Sequence, residues 1–160
     1  MINPEKSIIA LCIKYPDMIP VVRTSVSGKM FTSKKYTAVY NACLKLKDDN
    51  KLVDSVTLSD YIKSNKKAVA VFDGEDVLYS TLLEITDTEV KASSFQDYTD
   101  IIVNHYRKQF AVDETRKSAD KMKDGEDVTT VVETLGENLR ETERLTSKPF
   151  NSFLDIAREE

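Results

Sequence analysis

Residues that break helices are scarce in this chain, which has only 4 glycines and 4 prolines among 160 residues. Helices should therefore dominate the fold. Cysteine is scarce too. Cys12 and Cys43 both have apolar neighbours, which is typical of reduced, buried thiols rather than of a disulfide framework. With His105 as the single histidine, the chain has too few nitrogen and sulfur ligands for a structural zinc site.

Long apolar runs are also missing. None approaches the roughly 20 residues of a membrane-spanning helix, and residues 1–10 lack the basic flank and apolar stretch of a secretory signal. We therefore predict a cytoplasmic protein without membrane contact. Hydrophobic residues make up 41% and charged residues 31% of the chain, which indicates a globular rather than a disordered protein.

Catalytic signatures are absent as well. A phosphate-binding loop needs clustered glycines and a lysine, but the glycines are far apart, and Gly28-Lys29 lacks the upstream glycine and the following Ser or Thr. There is no dinucleotide fingerprint and no nucleophile elbow. The sequence therefore predicts that this chain is not an enzyme and holds no catalytic residue, cofactor or metal.

Charge is distributed unevenly, although its net value is only −4. Acidic residues dominate 124–145, which indicates either a solvated helix face or a surface for a basic protein partner. Lysines dominate the segment before residue 52, where they are either solvated or contacts to a phosphate backbone. The candidate nucleic-acid contacts are Lys29, Lys34, Lys35, Lys45, Lys47 and Lys51.

Capping residues and prolines predict the helices of the first half. Asn3 should cap the first helix and Pro16 should end it. Asp17 should cap a short second helix, and Thr32 or Ser33 a third, whose apolar residues recur at helical spacing.

Two more helices should follow in the first half. One begins at a near capping box, Thr57–Asp60, and the other follows Gly74. Residues 68–72 form a short apolar run between them. This run is either a strand or a tucked loop, and periodicity does not decide which.

A long helical hairpin is predicted for the second half. Residues 93–123 contain neither glycine nor proline, and their aromatic and apolar residues recur every three or four positions. Gly125 should end this helix, and Asp127 should cap the next one. Because the loop is short, the two helices should be antiparallel neighbours.

The predicted fold is therefore all-α, with a compact multi-helix head followed by a long antiparallel helical hairpin. Residues 1–90 form the head, 91–146 the hairpin, and 147–160 a linker and the start of a linker helix. The apolar side of the hairpin must be covered by the head or by another copy. The candidate interface residues are Phe95, Ile102, Tyr106, Phe110, Val128, Val131, Val132, Leu135 and Leu139.

Read in order, these segments resemble the N-terminal domain of DnaB-type replicative DNA helicases. Val53–Leu58 is the closest match, because it fits the family's Val-Asp-x-Val-Thr-Leu. Val77 stands where the family usually has Tyr, and Asn104 and Gln109 stand where it often has Glu and Arg. The changes at Asn104 and Gln109 weaken the carry-over of charged hairpin pairs. The other matching segments are Glu5–Ala10, Tyr15–Asp17, Met30-Phe31 with Tyr36, Val39, Tyr40 and Ala42, Gly74 with Leu78 and Leu82, and Tyr98–Ile102.

The resemblance implies a non-catalytic collar domain that acts in DNA replication. Such domains pair through their hairpins and form a trimer of dimers on the hexamer. The collar docks primase and, in some members, a helicase loader, and its DNA contact is indirect or weak. ATP and Mg are expected only in a C-terminal motor domain that is missing from this chain.

Two other functions remain open from the sequence. One is a free-standing helical interaction or regulatory protein that mimics the helicase collar. The other is a weak nucleic-acid-binding helical module that uses the lysines named above, and a steep loss of DNA affinity with rising salt would distinguish it.

Overall fold

The computed structural model describes the backbone of residues 3–159 and the side chains of residues 3–143. Within these residues the chain forms eight α-helices and no strand, which confirms the predicted all-α fold. The helices are α1 (Pro4–Lys14), α2 (Ile19–Ser25), α3 (Lys34–Asp48), α4 (Ser55–Ser64), α5 (Lys66–Val69), α6 (Glu75–Thr86), α7 (Phe95–Lys123) and α8 (Val128–Glu159).

The chain divides into two compact units, 1–102 and 103–160. The boundary falls within α7, whereas the predicted boundary at 90/91 precedes that helix. The predicted division into head, hairpin and linker stays a prediction. The bounds of α8 also continue through 147–151, where a linker was expected, and the side chains there lie outside the described residues.

The core of the first unit is built around α1. Its residues Ser7 to Cys12 are all buried, and a helix that is buried on every side is typical of a domain centre. α1 packs against α3 and α6, and α4 packs against the same two helices. The fully buried side chains that these helices contribute include Ile8, Ile9, Leu11, Tyr40, Leu58, Ile62, Leu78 and Ile85.

Several predicted helix ends are confirmed. The side chain of Asn3 accepts hydrogen bonds from the backbone amides of Glu5 and Lys6, and α1 ends at Lys14, before Pro16. Of the two candidates for capping α3, Ser33 is the cap, because its hydroxyl oxygen accepts from the amide of Tyr36.

The start predicted for the second helix is wrong. Residues Pro16–Met18 form a turn of 3-10 helix, and α2 follows at Ile19, with Met18 in the cap position and no side-chain cap. Asp17 therefore caps nothing. Its carboxylate instead lies 3.4 Å from Lys47 Nζ, because the 3-10 turn directs it toward solvent and α3.

The capping box of α4 begins three residues before the predicted one. Asp54 Oδ1 accepts from the amide of Thr57, while Thr57 Oγ1 accepts from the amide of Asp54. Threonine thus takes the place that Glu or Gln usually fills in this motif.

The apolar run 68–72 is not a strand, and the alternative of a tucked loop is confirmed for its last three residues, a turn in which Phe72 is buried. It lies partly in the short helix α5, whose cap, Asn65, accepts hydrogen bonds from the amides of Lys67 and Ala68. A run of five residues is too short to show a helical period, so the sequence did not predict the single helical turn that Asn65 caps.

A carboxylate that is distant in sequence binds the residues just before α3. Glu5 Oε1 accepts from the amide of Thr32 at 2.9 Å, and Glu5 Oε2 accepts from the Thr32 hydroxyl at 2.6 Å. The amide of Ser33 lies 3.4 Å from the same Oε1. A negative charge at a helix N-terminus is favourable, so Glu5 ties α1 to the start of α3.

Replacing Glu5 with alanine should lower the free energy of unfolding by about 1–3 kcal/mol, because two or three charge-assisted hydrogen bonds are lost. Glu5→Gln should cost less, since its amide oxygen still accepts. Urea denaturation followed by circular dichroism measures both. Glu89, which is exposed, supplies the control. If Glu89→Ala lowers the free energy of unfolding as much as Glu5→Ala does, the hydrogen bonds of Glu5 to Thr32 and Ser33 contribute nothing to stability.

Within the second unit, α7 and α8 are antiparallel over their described residues. Arg107 Nη2 lies 3.4 Å from Glu143 Oε1, and Asn138 Nδ2 donates to Glu114 Oε2 at 3.2 Å. Gly125 has a φ of +90°, the left-handed conformation that glycine adopts readily. Asp127 Oδ2 accepts from the amide of Thr130, which confirms the predicted cap of α8.

Candidate protein-docking surfaces

The nine candidate interface residues differ in their exposure. Ile102 and Val131 are buried within the chain, with exposed fractions of 3% and 5%. Val128 and Val132 are 56% and 52% exposed. The remaining candidates, all half-buried, are Phe95, Tyr106, Phe110, Leu135 and Leu139.

Val128 and Val132 form a solvent-facing apolar strip at the start of α8. Residues four apart lie on one side of a helix, so these two valines are neighbours. Val131, between them in sequence, faces the interior. On α7, Val112 is also exposed, at 44%. It lies off the aromatic stripe of that helix, so helical periodicity did not mark it as a candidate.

Acidic side chains are exposed on the same hairpin. Glu133 and Glu137 on α8 and Glu126 and Asp127 in the loop before it are all solvent-facing. Their carboxylates surround the valine strip in sequence. A partner surface that covers this strip would therefore meet negative charge around an apolar centre.

The six candidate nucleic-acid lysines do not form one patch. Lys34 and Lys47 lie near opposite ends of α3, about 20 Å apart at 1.5 Å per residue. Lys45 pairs with Asp49 and Lys47 with Asp17, each at 3.4 Å. Among the described side chains, no carboxylate lies at ion-pair distance from the other four candidates, which are Lys29, Lys34, Lys35 and Lys51.

A groove between α4 and α6 was not predicted from the sequence. It has a volume of about 460 Å³. Val56 and Leu83 on its rim are 75% and 60% exposed, and Tyr79 is 43% exposed, whereas Leu82 at its base is buried. The sequence did contain one indication of this groove: Val56 and Leu83 are apolar but lie outside the buried apolar face of their helices.

Lys63 is the cation of this groove. Its ammonium donates to the Tyr79 hydroxyl at 2.9 Å and lies 5.4 Å from the centre of the Tyr79 ring. The hydrogen bond from Lys63 to Tyr79 is the main cause that raises the pKa of Lys63. No carboxylate oxygen among the described side chains lies within 4.0 Å of this ammonium.

The two thiols lie in the core and not at a surface site. Both Cys12 and Cys43 are buried and unpaired. Burial raises the pKa of Cys12 to about 12 and also raises that of Cys43. Because the thiolate is the reactive form, neither thiol has the environment of a nucleophile.

The described residues contain no group of three or more His, Cys, Asp or Glu side chains placed to hold a metal ion. No helix among them is long and apolar enough to cross a membrane. Two surface features stand out: the valine strip on α8 and the groove between α4 and α6.

Comparison with known proteins identifies the family. No curated protein matches the chain in sequence. Among solved structures, the crystal structure of the N-terminal domain of DnaB helicase from Mycobacterium tuberculosis matches with a TM-score of 0.71. The match covers 86% of this chain and 94% of that one at 18% identity, which establishes a shared fold. The family model of the DnaB-like helicase N terminal domain matches residues 1–104, well over half of the sequence. The chain therefore belongs to the family of DnaB-like helicase N-terminal domains.

Proposed function

We propose that this chain is a non-catalytic collar module of a replicative DNA helicase, which associates with copies of itself through its hairpin and docks primase or a helicase loader. The observation that carries the proposal is the exposed valine strip formed by Val128 and Val132 on α8. Family membership supplies the helicase context.

The strip favours self-association for a physical reason. Each valine that becomes fully buried contributes roughly 1–2 kcal/mol, and both are more than half exposed in a single chain. In a two-fold interface both copies bury the same residues, so the contact buries four valine side chains, two from each copy.

Replacing Val132 with aspartate should shift the chain to a monomer. In sedimentation equilibrium, we expect the unmodified chain to form dimers and larger assemblies as concentration rises. Val132→Asp should weaken this association at least about a hundredfold, because an unpaired carboxylate would be buried twice in a symmetric contact. Circular dichroism checks that the variant remains helical.

Val21 provides the matched control, because it lies on α2 and is 48% exposed, close to the 52% of Val132. Val21→Asp should leave the assembly unchanged. The proposal fails if the unmodified chain stays monomeric at high concentration. It also fails if both aspartate variants dissociate the assembly equally.

The docking role extends to a second protein. Calorimetric titration of the chain with primase from the same organism should give saturable binding, and a loader is tested in the same way.

The alternative of a weak nucleic-acid-binding module has less support, because the lysines on α3 lie in separated groups and two of them are paired with aspartates. A free-standing regulatory protein would show the same self-association without being joined to a motor domain.

A further inference from the structure

We infer that the groove between α4 and α6 binds a short amphipathic helix of a partner protein, with apolar side chains against Val56 and Leu83 and a carboxylate against Lys63. This inference rests on the docking role proposed above. It does not depend on self-association through α8.

The shape of the groove suits one helix. α4 and α6 are antiparallel here, since Lys63 meets Tyr79 at one end, while the lining extends to Val56 and Thr86 at the other. Val56 and Lys63 are two helical turns apart, about 10 Å. A third helix lying along this groove would contact it over two turns, as in helix-in-groove recognition.

The apolar surface needs a cover. Val56 and Leu83 are the most exposed large hydrophobic residues of their helices, and they flank Leu82, which is already buried. Removing both from water adds favourable free energy in proportion to the apolar area covered. An apolar rim with polar residues at its margins is typical of an interaction site rather than of scattered surface residues.

Charge identifies the chemistry of the occupant. Lys63 is exposed, and its hydrogen-bond partner is a neutral hydroxyl, so no described carboxylate pairs with it at ion-pair distance, while Glu75 and Asp60 act on its charge from further away. Asp60, one turn earlier on α4, also lines the groove but forms no ion pair with Lys63. A carboxylate on the occupant, two turns from its first apolar anchor, would reach the ammonium.

The size of the groove favours a segment of a partner over a second copy. Nine residues line it. A stable interface between two proteins takes about 20–30 residues on each side. The groove is therefore matched to a short helix that binds weakly and reversibly.

Two synthetic peptides test the inference. Each is a capped, alanine-based helix of about 16 residues, long enough to be partly helical in water. Each carries two leucines one turn apart and a single charged residue two turns from the first leucine, glutamate in one peptide and lysine in the other. Titration into the isotopically labelled full chain, followed by amide chemical shifts, locates the site and measures affinity.

The glutamate peptide should bind at α4 and α6 and, at low salt, about fivefold more tightly than the lysine peptide. Leu83→Glu should weaken both peptides at least tenfold. Lys63→Glu should reverse the preference, so that the lysine peptide binds better. Val21→Glu, an exposed valine outside the groove, should change neither affinity.

Shifts confined to α7 and α8, no binding, or an unreversed preference in Lys63→Glu would each overturn the inference. Sedimentation of the same variants separates this result from the proposed function. Leu83→Glu should leave self-association intact, and Val132→Asp should leave peptide binding intact. If Leu83→Glu dissociates the assembly, a second copy covers the groove and the partner helix is excluded.

Discussion

Replacing Tyr40 with alanine should destabilise the chain by about 3–5 kcal/mol, the usual cost of removing a large aromatic side chain from a core. Tyr40 is fully buried. Its hydroxyl donates to the carbonyl of Val26 at 2.6 Å, and its ring centre lies 4.8 Å from that of Phe31. Truncation would remove the hydrogen bond, the ring contact and the packing together.

Urea denaturation of two companion variants divides this effect into its parts. Tyr40→Phe keeps the ring but leaves the Val26 carbonyl without its donor, so it should cost about 1–2 kcal/mol. Tyr79→Ala truncates a tyrosine that is 43% exposed and should cost under about 1 kcal/mol. If Tyr79→Ala and Tyr40→Ala lose equal stability, Tyr40 does not organise the core.

The free energy of unfolding should fall steeply above about pH 9. Burial raises the pKa of Cys12 to about 12 and also raises that of Cys43, whereas the thiols of the unfolded chain ionise near pH 8.5–9. Between these values the folded chain keeps protons that the unfolded chain releases. Raising the pH therefore favours unfolding, by up to about 1.4 kcal/mol per pH unit for each thiol. Below about pH 8 this contribution is fully present.

Denaturation at a series of pH values from 7 to 10.5 tests this slope. Buried Tyr40, whose pKa is raised mainly by burial, adds to the loss at the upper end. The Cys12→Ala/Cys43→Ala double variant should be less stable at pH 7, because it leaves cavities, but its stability should fall less steeply above pH 9. Identical slopes in the two proteins would show that the thiols ionise freely in the fold.

The sequence predicted helix ends well where a local side chain determines them. Asn3, Ser33 and Asp127 cap the helices that they precede, because a cap needs only residues within three positions. Asp17 was wrong because a 3-10 turn precedes α2, which starts without a side-chain cap. The box at Thr57–Asp60 was wrong because Asp54, three residues earlier, was also able to cap the helix. The choice between such neighbours depends on the direction in which the chain arrives.

Contacts between distant segments were not predictable from local pattern. The sequence shows Glu5 only as an acidic residue in a first helical turn, yet its carboxylate accepts hydrogen bonds from Thr32 and Ser33, just before a helix that begins at Lys34, 29 residues later. The groove between α4 and α6 was missed for the same reason. Val56 and Leu83 form one surface only because the two helices pack antiparallel, and periodicity within either helix does not show this.

The sequence by itself determined the helical class, the long hairpin and the family resemblance, because all three depend on spacings within a segment and on the order of segments. Tertiary structure decided which apolar residues remain in contact with solvent. Ile102, Val131 and Val132 looked equivalent as hydrophobic residues on hairpin helices, yet the first two are buried and Val132 is half exposed. Burial depends on what packs against each side of a helix, and that neighbour is supplied by another part of the fold.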